Sequence, residues 1–206
     1  MNQKLMLPDR RLILGSTSSY RRDLLGRLNI PFDIAAPDVD ETPLLHEAPQ
    51  VLAQRLALAK AKAVAARFPA AVVIGSDQVA DLKGQCLGKP GTHDKAVAQL
   101  RQMRGQTVIF QTAVAVVCSE TGFDQRALAV VRVTFRELTD EEIENYLQIE
   151  KPYDCAGSAK SEGLGIALLD AIDSDDPTAL IGLPLIRTCQ LLRAAGIQLL
   201  STQAAS

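Results

Sequence analysis

Residues able to bind a phosphate follow the first apolar run of the chain. Leu12-Ile13-Leu14 leads into Gly15, then Ser16, Thr17, Ser18 and Ser19, then Tyr20, Arg21 and Arg22. Leu24, Leu25 and Leu28 recur at helical spacing, which places both arginines in the first turn of a helix. That end of a helix carries about half a unit of positive charge, and a cation there is disfavoured by about 0.3–1 kcal/mol. Two readings are open. The guanidiniums swing into water or pair with Asp23, or something anionic fills the space. For the second, backbone N–H groups at a helix N-terminus already suit phosphate. Ser16 and Ser18 add hydroxyl donors, Gly15 allows close backbone approach, and Arg21 and Arg22 add bidentate charge.

Carboxylates appear at the ends of two further apolar stretches. "PFDIAAP" (31–37) runs into Asp38, Asp40 and Glu41, and "AVVI" (71–74) runs into Gly75-Ser76-Asp77-Gln78, after which the apolar pattern resumes at Val79. An aspartate inside a buried strand is costly unless it is paired or metal-bound; a turn or N-cap role for Asp77 is the alternative. Lys60, Lys62, Lys89 and Lys160 are cations that could face these acids. At least one of Lys60 and Lys62 must point outward from an alanine-rich helix. Lys89 precedes Pro90, so its backbone is extended and suited to reach into a cleft. The four cysteines form no CxxC pair and there are two histidines, which excludes a zinc site. Cys155 has no neighbouring histidine to activate it and reads as a buried thiol. Any metal must be held by oxygen, which selects Mg²⁺ or Mn²⁺. There is no GxxxxGK[ST], GxGxxG or GxSxG motif.

The elements that must position these groups can be read from periodicity and punctuation. The spacing predicts strand 11–14, helix 19–28, strand 31–37, helix 48–68 ended by Pro69, and a central strand 71–80. A hairpin-like turn follows at 81–85, then loop 88–92 and helix 93–104. Strands 107–119 and 127–138 are joined at Thr121-Gly122. Thr139 to Glu142 reads as a capping box for helix 140–149. Segment 151–169 reads as loop then strand, and Pro184 opens a last helix closed by Gly196. The fold class is α/β with a mixed sheet and a cleft between two lobes. With 206 residues the chain is long enough for a substantial core. Its net charge of -2 argues against broad nucleic-acid binding, no apolar run is long enough for a membrane span, and MNQKLMLPDRRL lacks a leader's apolar stretch, which points to the cytoplasm.

In this order and spacing, "LGSTSSYRRDLL", "DVDET", "LALAKAKAVA", "GSDQV", "GKP" and "YDCAGSAKSEGLG" resemble the Maf-like nucleoside triphosphate pyrophosphatases, from about Leu12 to Gly196. "GSDQV" and "CAGSAKSEGLG" are similar to the branch acting on 7-methyl-GTP. The resemblance implies an elongated mixed α/β sheet with a deep cleft between two lobes over 1–206, usually dimeric. It also implies cleavage between the α and β phosphorus and a divalent cation. By position it makes Asp77 the proton acceptor and assigns Tyr20, Gln78 and Glu162 to base specificity. With it, Ser16, Ser18, Arg21, Arg22, Lys60 and Lys89 become expected triphosphate-binding groups, and Glu41 and Asp77 the expected metal holders. Ala159 departs from the large aromatic expected in that branch. Two alternatives stand beside this: a nucleotide-binding regulator of cell division that does not cleave, and the same chemistry on dTTP or UTP.

Overall fold

The computed structural model describes residues 10–200. The N-terminal residues on which the expectation of no leader largely rests lie outside them. Among the described residues no helix is long and apolar enough to cross a membrane. The elements in chain order are β1 (Leu12–Leu14), α1 (Ser19–Gly26), β2 (Asp33–Ile34), α2 (Pro49–Arg67), β3 (Val72–Leu82) and β4 (Gln85–Leu87). Then come α3 (His93–Met103), β5 (Thr107–Cys118), β6 (Phe123–Phe135), α4 (Asp140–Glu150), β7 (Leu169–Asp173) and α5 (Leu185–Ala194).

Seven strands form one mixed sheet in the order β2-β1-β3-β5-β6-β7, with β4 paired to β3. β1 is parallel to both β2 and β3, and every other pair is antiparallel. Local chemistry explains most boundaries. Lys83 and Gly84 both have positive φ, so a two-residue primed turn joins β3 to β4. Thr139 and Glu142 form the reciprocal capping box of α4. Gly196, at φ +89°, closes α5 with the Ile197 N–H on the Leu192 carbonyl.

The expected strand over 31–37 shrinks to two residues. It is a sheet edge, paired only with three-residue β1 and bracketed by Pro31 and Pro37, which lack an N–H. β6 begins at Phe123 rather than Ala127, because the hairpin with β5 carries the polar segment Asp124-Gln125-Arg126 into the ladder.

Strand alternation sorts the core onto two faces. Val73, Ala113, Ala115 and Val117 pack under Ala53, Ala57, Ala61 and Val64 of α2. On the other face Val72, Ile74, Val114 and Val116 meet Leu24 and Leu25 of α1 and Leu191 and Leu192 of α5. Further along that same face Ala80, Leu82, Val108 and Phe110 meet α3 and α4. Between these last two clusters lies a polar band of Ser76, Gln78 and Thr112, with the carbonyls of 179–182 against it.

Candidate active site

β3 runs without a break through Asp77, as the expected strand over 71–80 requires. β1 covers β3 only from Val72 to Ile74, and β4 rejoins β3 only at Ala80. Residues 75–79 therefore have a neighbour, β5, on one side alone. The Gly15 N–H donates to the Ile74 carbonyl and the chain then turns away into α1. A cavity of about 710 Å³ opens at this gap. It is within the range of about 300–1,000 Å³ usual for small-molecule sites.

Alternation puts Asp77 on the α2 face of this edge and Ser76 and Gln78 on the opposite face. Asp77 is 6% exposed, and its Oδ1 lies 2.6 Å from the Lys60 Nζ. Lys60, itself 5% exposed, reaches Glu41 Oε1 at 2.9 Å. Gly75 makes this reach possible. A Cβ there would sit 2.5 Å from the Ala61 nitrogen and closer still to the Ala57 carbonyl, so α2 lies directly on the bare strand. Burial raises the Asp77 pKa above its ordinary value, and Lys60 and Arg21 oppose that rise. Asp77 Oδ2 carries no protein hydrogen bond among the described residues. Lys62, on the same helix, points outward and pairs with Asp124 at 2.8 Å.

α1 supplies the other wall. The Ser18 side chain caps it, accepting from the Arg21 N–H. The Ser19 and Tyr20 N–H groups have no backbone or side-chain acceptor among the described residues. The Arg21 Nε donates to the Gly182 carbonyl at 2.9 Å, and one Nη lies 3.3 Å from Ser16 Oγ. Burial lowers the Arg21 pKa, and Asp77 and Glu41 oppose this. Lys89 lines the cavity, and among the described residues no carboxylate lies within ion-pair distance of it.

Arg22 corrects the expectation made for it. It lines neither this cavity nor the recess beside it, and it pairs with Asp23 at 2.9 Å. Successive helix residues project in different directions, so Arg21 faces inward while Arg22 faces solvent.

A smaller recess of about 100 Å³ shares Tyr20, Arg21, Gln78 and Lys89 with the main cavity and adds Glu162 and Ala159. The Gln78 Nε2 faces three acceptors, the Ala179 and Leu180 carbonyls, both at 2.9 Å, and the Thr112 hydroxyl at 3.0 Å. These acceptors fix the amide's orientation and leave its oxygen as the free acceptor. Cys155 lines the recess, and burial raises its thiol to about 11, so it stays protonated at neutral pH.

The chain from 11 to 195 matches the family model described as "Maf-like protein". The chain belongs to the Maf-like family. It is 75% identical over 190 residues to a 7-methyl-GTP pyrophosphatase of a Polaromonas species, an alignment covering 92% of this chain and 87% of that one. It is 72% identical to the 7-methyl-GTP pyrophosphatase of Albidiferax ferrireducens, covering 93% of this chain and 96% of that one. The protein of the same name from Cupriavidus pinatubonensis is 59% identical, covering 90% and 94%.

In this Maf-like chain every expected site residue except Arg22 lines the cavity or its recess. Sequence reading missed the two segments that hold them. The carbonyls of Ala179, Leu180 and Gly182 grip Gln78 and Arg21, and no side-chain pattern signals a carbonyl. Arg55 pairs with Glu47 at 2.6 Å and donates to the Thr42 carbonyl, which ties the loop bearing Glu41 to α2. The eight-residue spacing of that pair spans a loop and a helix, so helical periodicity does not reveal it.

Proposed function

We propose that this chain hydrolyses the α–β phosphoanhydride of 7-methyl-GTP to 7-methyl-GMP and pyrophosphate. The observation that carries the reading is the meeting, in one cavity, of a buried aspartate of raised pKa with Arg21, Lys89 and the capped end of α1. The printed names of relatives 59–75% identical support the same substrate. Water attacks the α phosphorus, and Asp77 takes its proton through the free Oδ2. A base of raised pKa suits that task near neutral pH. As the bridging oxygen leaves with pyrophosphate, Lys89, Arg21 and the α1 N–H groups meet its growing charge.

The donor set fits a hard divalent cation. Glu41 and Asp77 share Lys60 as a neighbour, so their oxygens lie close together. Among the described residues no group of three ligating side chains forms, so phosphate oxygens and water would have to complete the shell of a metal held there. Glu41 and Asp77 would hold Mg²⁺ or Mn²⁺, which supplies charge that polarises the phosphoryl oxygens.

For the base, Tyr20 offers a ring face, and N7-methylated guanine is a cation, attracted to such a face by about 0.5–2 kcal/mol. Glu162 accepts from the guanine N1–H and amino group, and the Gln78 oxygen accepts at a further edge. Ala159 lines the recess with a methyl group where the resemblance expects a large aromatic.

The test is a panel of triphosphates with Mg²⁺ and Mn²⁺, scored for pyrophosphate and mononucleotide. The reading expects 7-methyl-GTP to lead the panel. Release of inorganic phosphate alone overturns the bond assignment. Binding without turnover favours the regulator, and a lead by UTP or dTTP overturns the base assignment. A homodimer in the cytoplasm is part of the proposal and is checked by light scattering and cell fractionation. Neither a nucleic-acid polymer nor a membrane is a proposed partner.

A further inference from the structure

Glu150 is a carboxylate at the disfavoured end of a helix. It is the last residue of α4, where the backbone carries partial negative charge. The favourable end already holds Asp140, Glu141 and Glu142. Yet the Glu150 side chain is only 14% exposed, and it is fully engaged. Its Oε1 lies 3.0 Å from the Lys160 Nζ, and its Oε2 accepts the Leu164 N–H at 2.8 Å. One turn earlier on the same helix face, the Tyr146 hydroxyl accepts the Lys160 N–H at 3.1 Å. Between these anchors the Gly163 N–H closes a turn onto the Lys160 carbonyl, with Glu162 inside it.

The glycines of this segment answer to the same contact. A Cβ at Gly163 would stand 2.7 Å from Glu150 Oε2, and one at Gly165 would stand 2.5 Å from the Lys160 carbonyl oxygen. The turn is therefore pressed onto α4 and coiled on itself. Lys160, held by Glu150, lies 5.7 Å from the centre of the Tyr20 ring. Glu150 itself lines neither the cavity nor the recess, whereas Glu162 and Tyr20 line the recess.

We infer that Glu150 is a positioning residue for base recognition: it clamps the 160–164 turn to α4 so that Glu162 is presented to the recess beside Tyr20. The inference rests on the reading of Glu162 as a base-recognising group. It assigns the cost of a charge at the end of α4 to the placement of a second charge elsewhere.

The experiment compares kcat/KM for 7-methyl-GTP and UTP across Glu150→Ala, Glu150→Gln, Glu162→Gln and the Glu150→Ala/Glu162→Gln double variant. Hydrogen bonds to a charged group are at stake, so Glu150→Ala lowers the 7-methyl-GTP over UTP ratio by about tenfold. The loss falls on KM for 7-methyl-GTP, and kcat for UTP stays within about twofold. Glu150→Gln keeps an acceptor for the Leu164 N–H and recovers most of the ratio. The double variant is no worse than Glu162→Gln alone, because one residue acts through the other. Tyr146→Phe, which removes only the acceptor of the Lys160 N–H, shifts the ratio the same way by less, and serves should Glu150→Ala fail to fold. Equal losses on both substrates, or multiplicative losses in the double variant, overturn the inference. A silent Glu162→Gln removes the reading of Glu162 and the inference with it. A reduced ratio in Glu162→Gln beside an unchanged one in Glu150→Ala removes the inference alone.

Discussion

Replacing Gly75 by alanine probes how the fold delivers Lys60 to Asp77. The added methyl would lie 2.5 Å from the Ala61 nitrogen, 2.9 Å from the Ala61 Cβ and closest to the Ala57 carbonyl, where ordinary contact begins at 3.4 Å. Two of these three obstacles are backbone atoms of a 19-residue helix. Neither can rotate away, so α2 must retreat by about 1 Å in a close-packed interior. Overpacking of this kind costs about 1–3 kcal/mol. For a chain of this length that lowers Tm by about 2–12 °C. The retreat also draws Lys60 from Asp77, and a misplacement of about 1 Å in a catalytic constellation lowers turnover by about 10²-fold. Thermal melts and steady-state pyrophosphate release measure the two effects together. Ala61→Gly in the same chain removes only the Cβ contact and restores little, since the Ala57 carbonyl remains. Unchanged melting and turnover in Gly75→Ala would refute the claim that a bare strand is what lets α2 present its lysine.

Three further outcomes follow from the site. Lys60 opposes the burial that raises the Asp77 pKa, so Lys60→Met removes that opposition; the active carboxylate persists only above its pKa, and the acid limb of kcat/KM moves to higher pH, whereas an unmoved limb separates Asp77 from the chemistry. Glu47 is held down to about 2 from 4.5, first by its hydrogen bond with Arg55. A depressed carboxylate contributes stability that is present above its ordinary pKa and lost as pH falls through the folded one, so Glu47→Gln shows a flatter stability curve between about pH 4.5 and 2 by denaturant titration. Arg22→Ala leaves KM for 7-methyl-GTP within about twofold, because an exposed pair with Asp23 contributes little; a loss comparable to that in Arg21→Ala would return Arg22 to the site.

Much of this architecture is legible in the chain because local and tertiary preferences agree. The capping box at Thr139, the Lys83-Gly84 turn and the Gly196 stop all state their own geometry, and the structure follows them. Asp77 was harder. The sequence predicts a strand through it, over 71–80, and β3 does run on, paired with β5 from Val73 to Asp81; what the sequence does not show is that β1 stops at Leu14 and leaves the other side of residues 75–79 open. Only the relative lengths of neighbouring strands decide that, and sequence periodicity carries no such length comparison. The two arginines of α1 divide for a similar reason. Their types are identical, but only Arg21 faces the Gly182 carbonyl, which a distant segment brings to it.

The central claim is that Asp77 takes the proton of a water attacking a triphosphate held in this cavity. Asp77→Asn tests it most directly, with single-turnover pyrophosphate release from 7-methyl-GTP measured beside calorimetric binding of its α,β-methylene analogue. The account predicts a fall in turnover of about 10²–10⁴-fold with analogue affinity within a few-fold. Turnover close to that of the unaltered protein would contradict it.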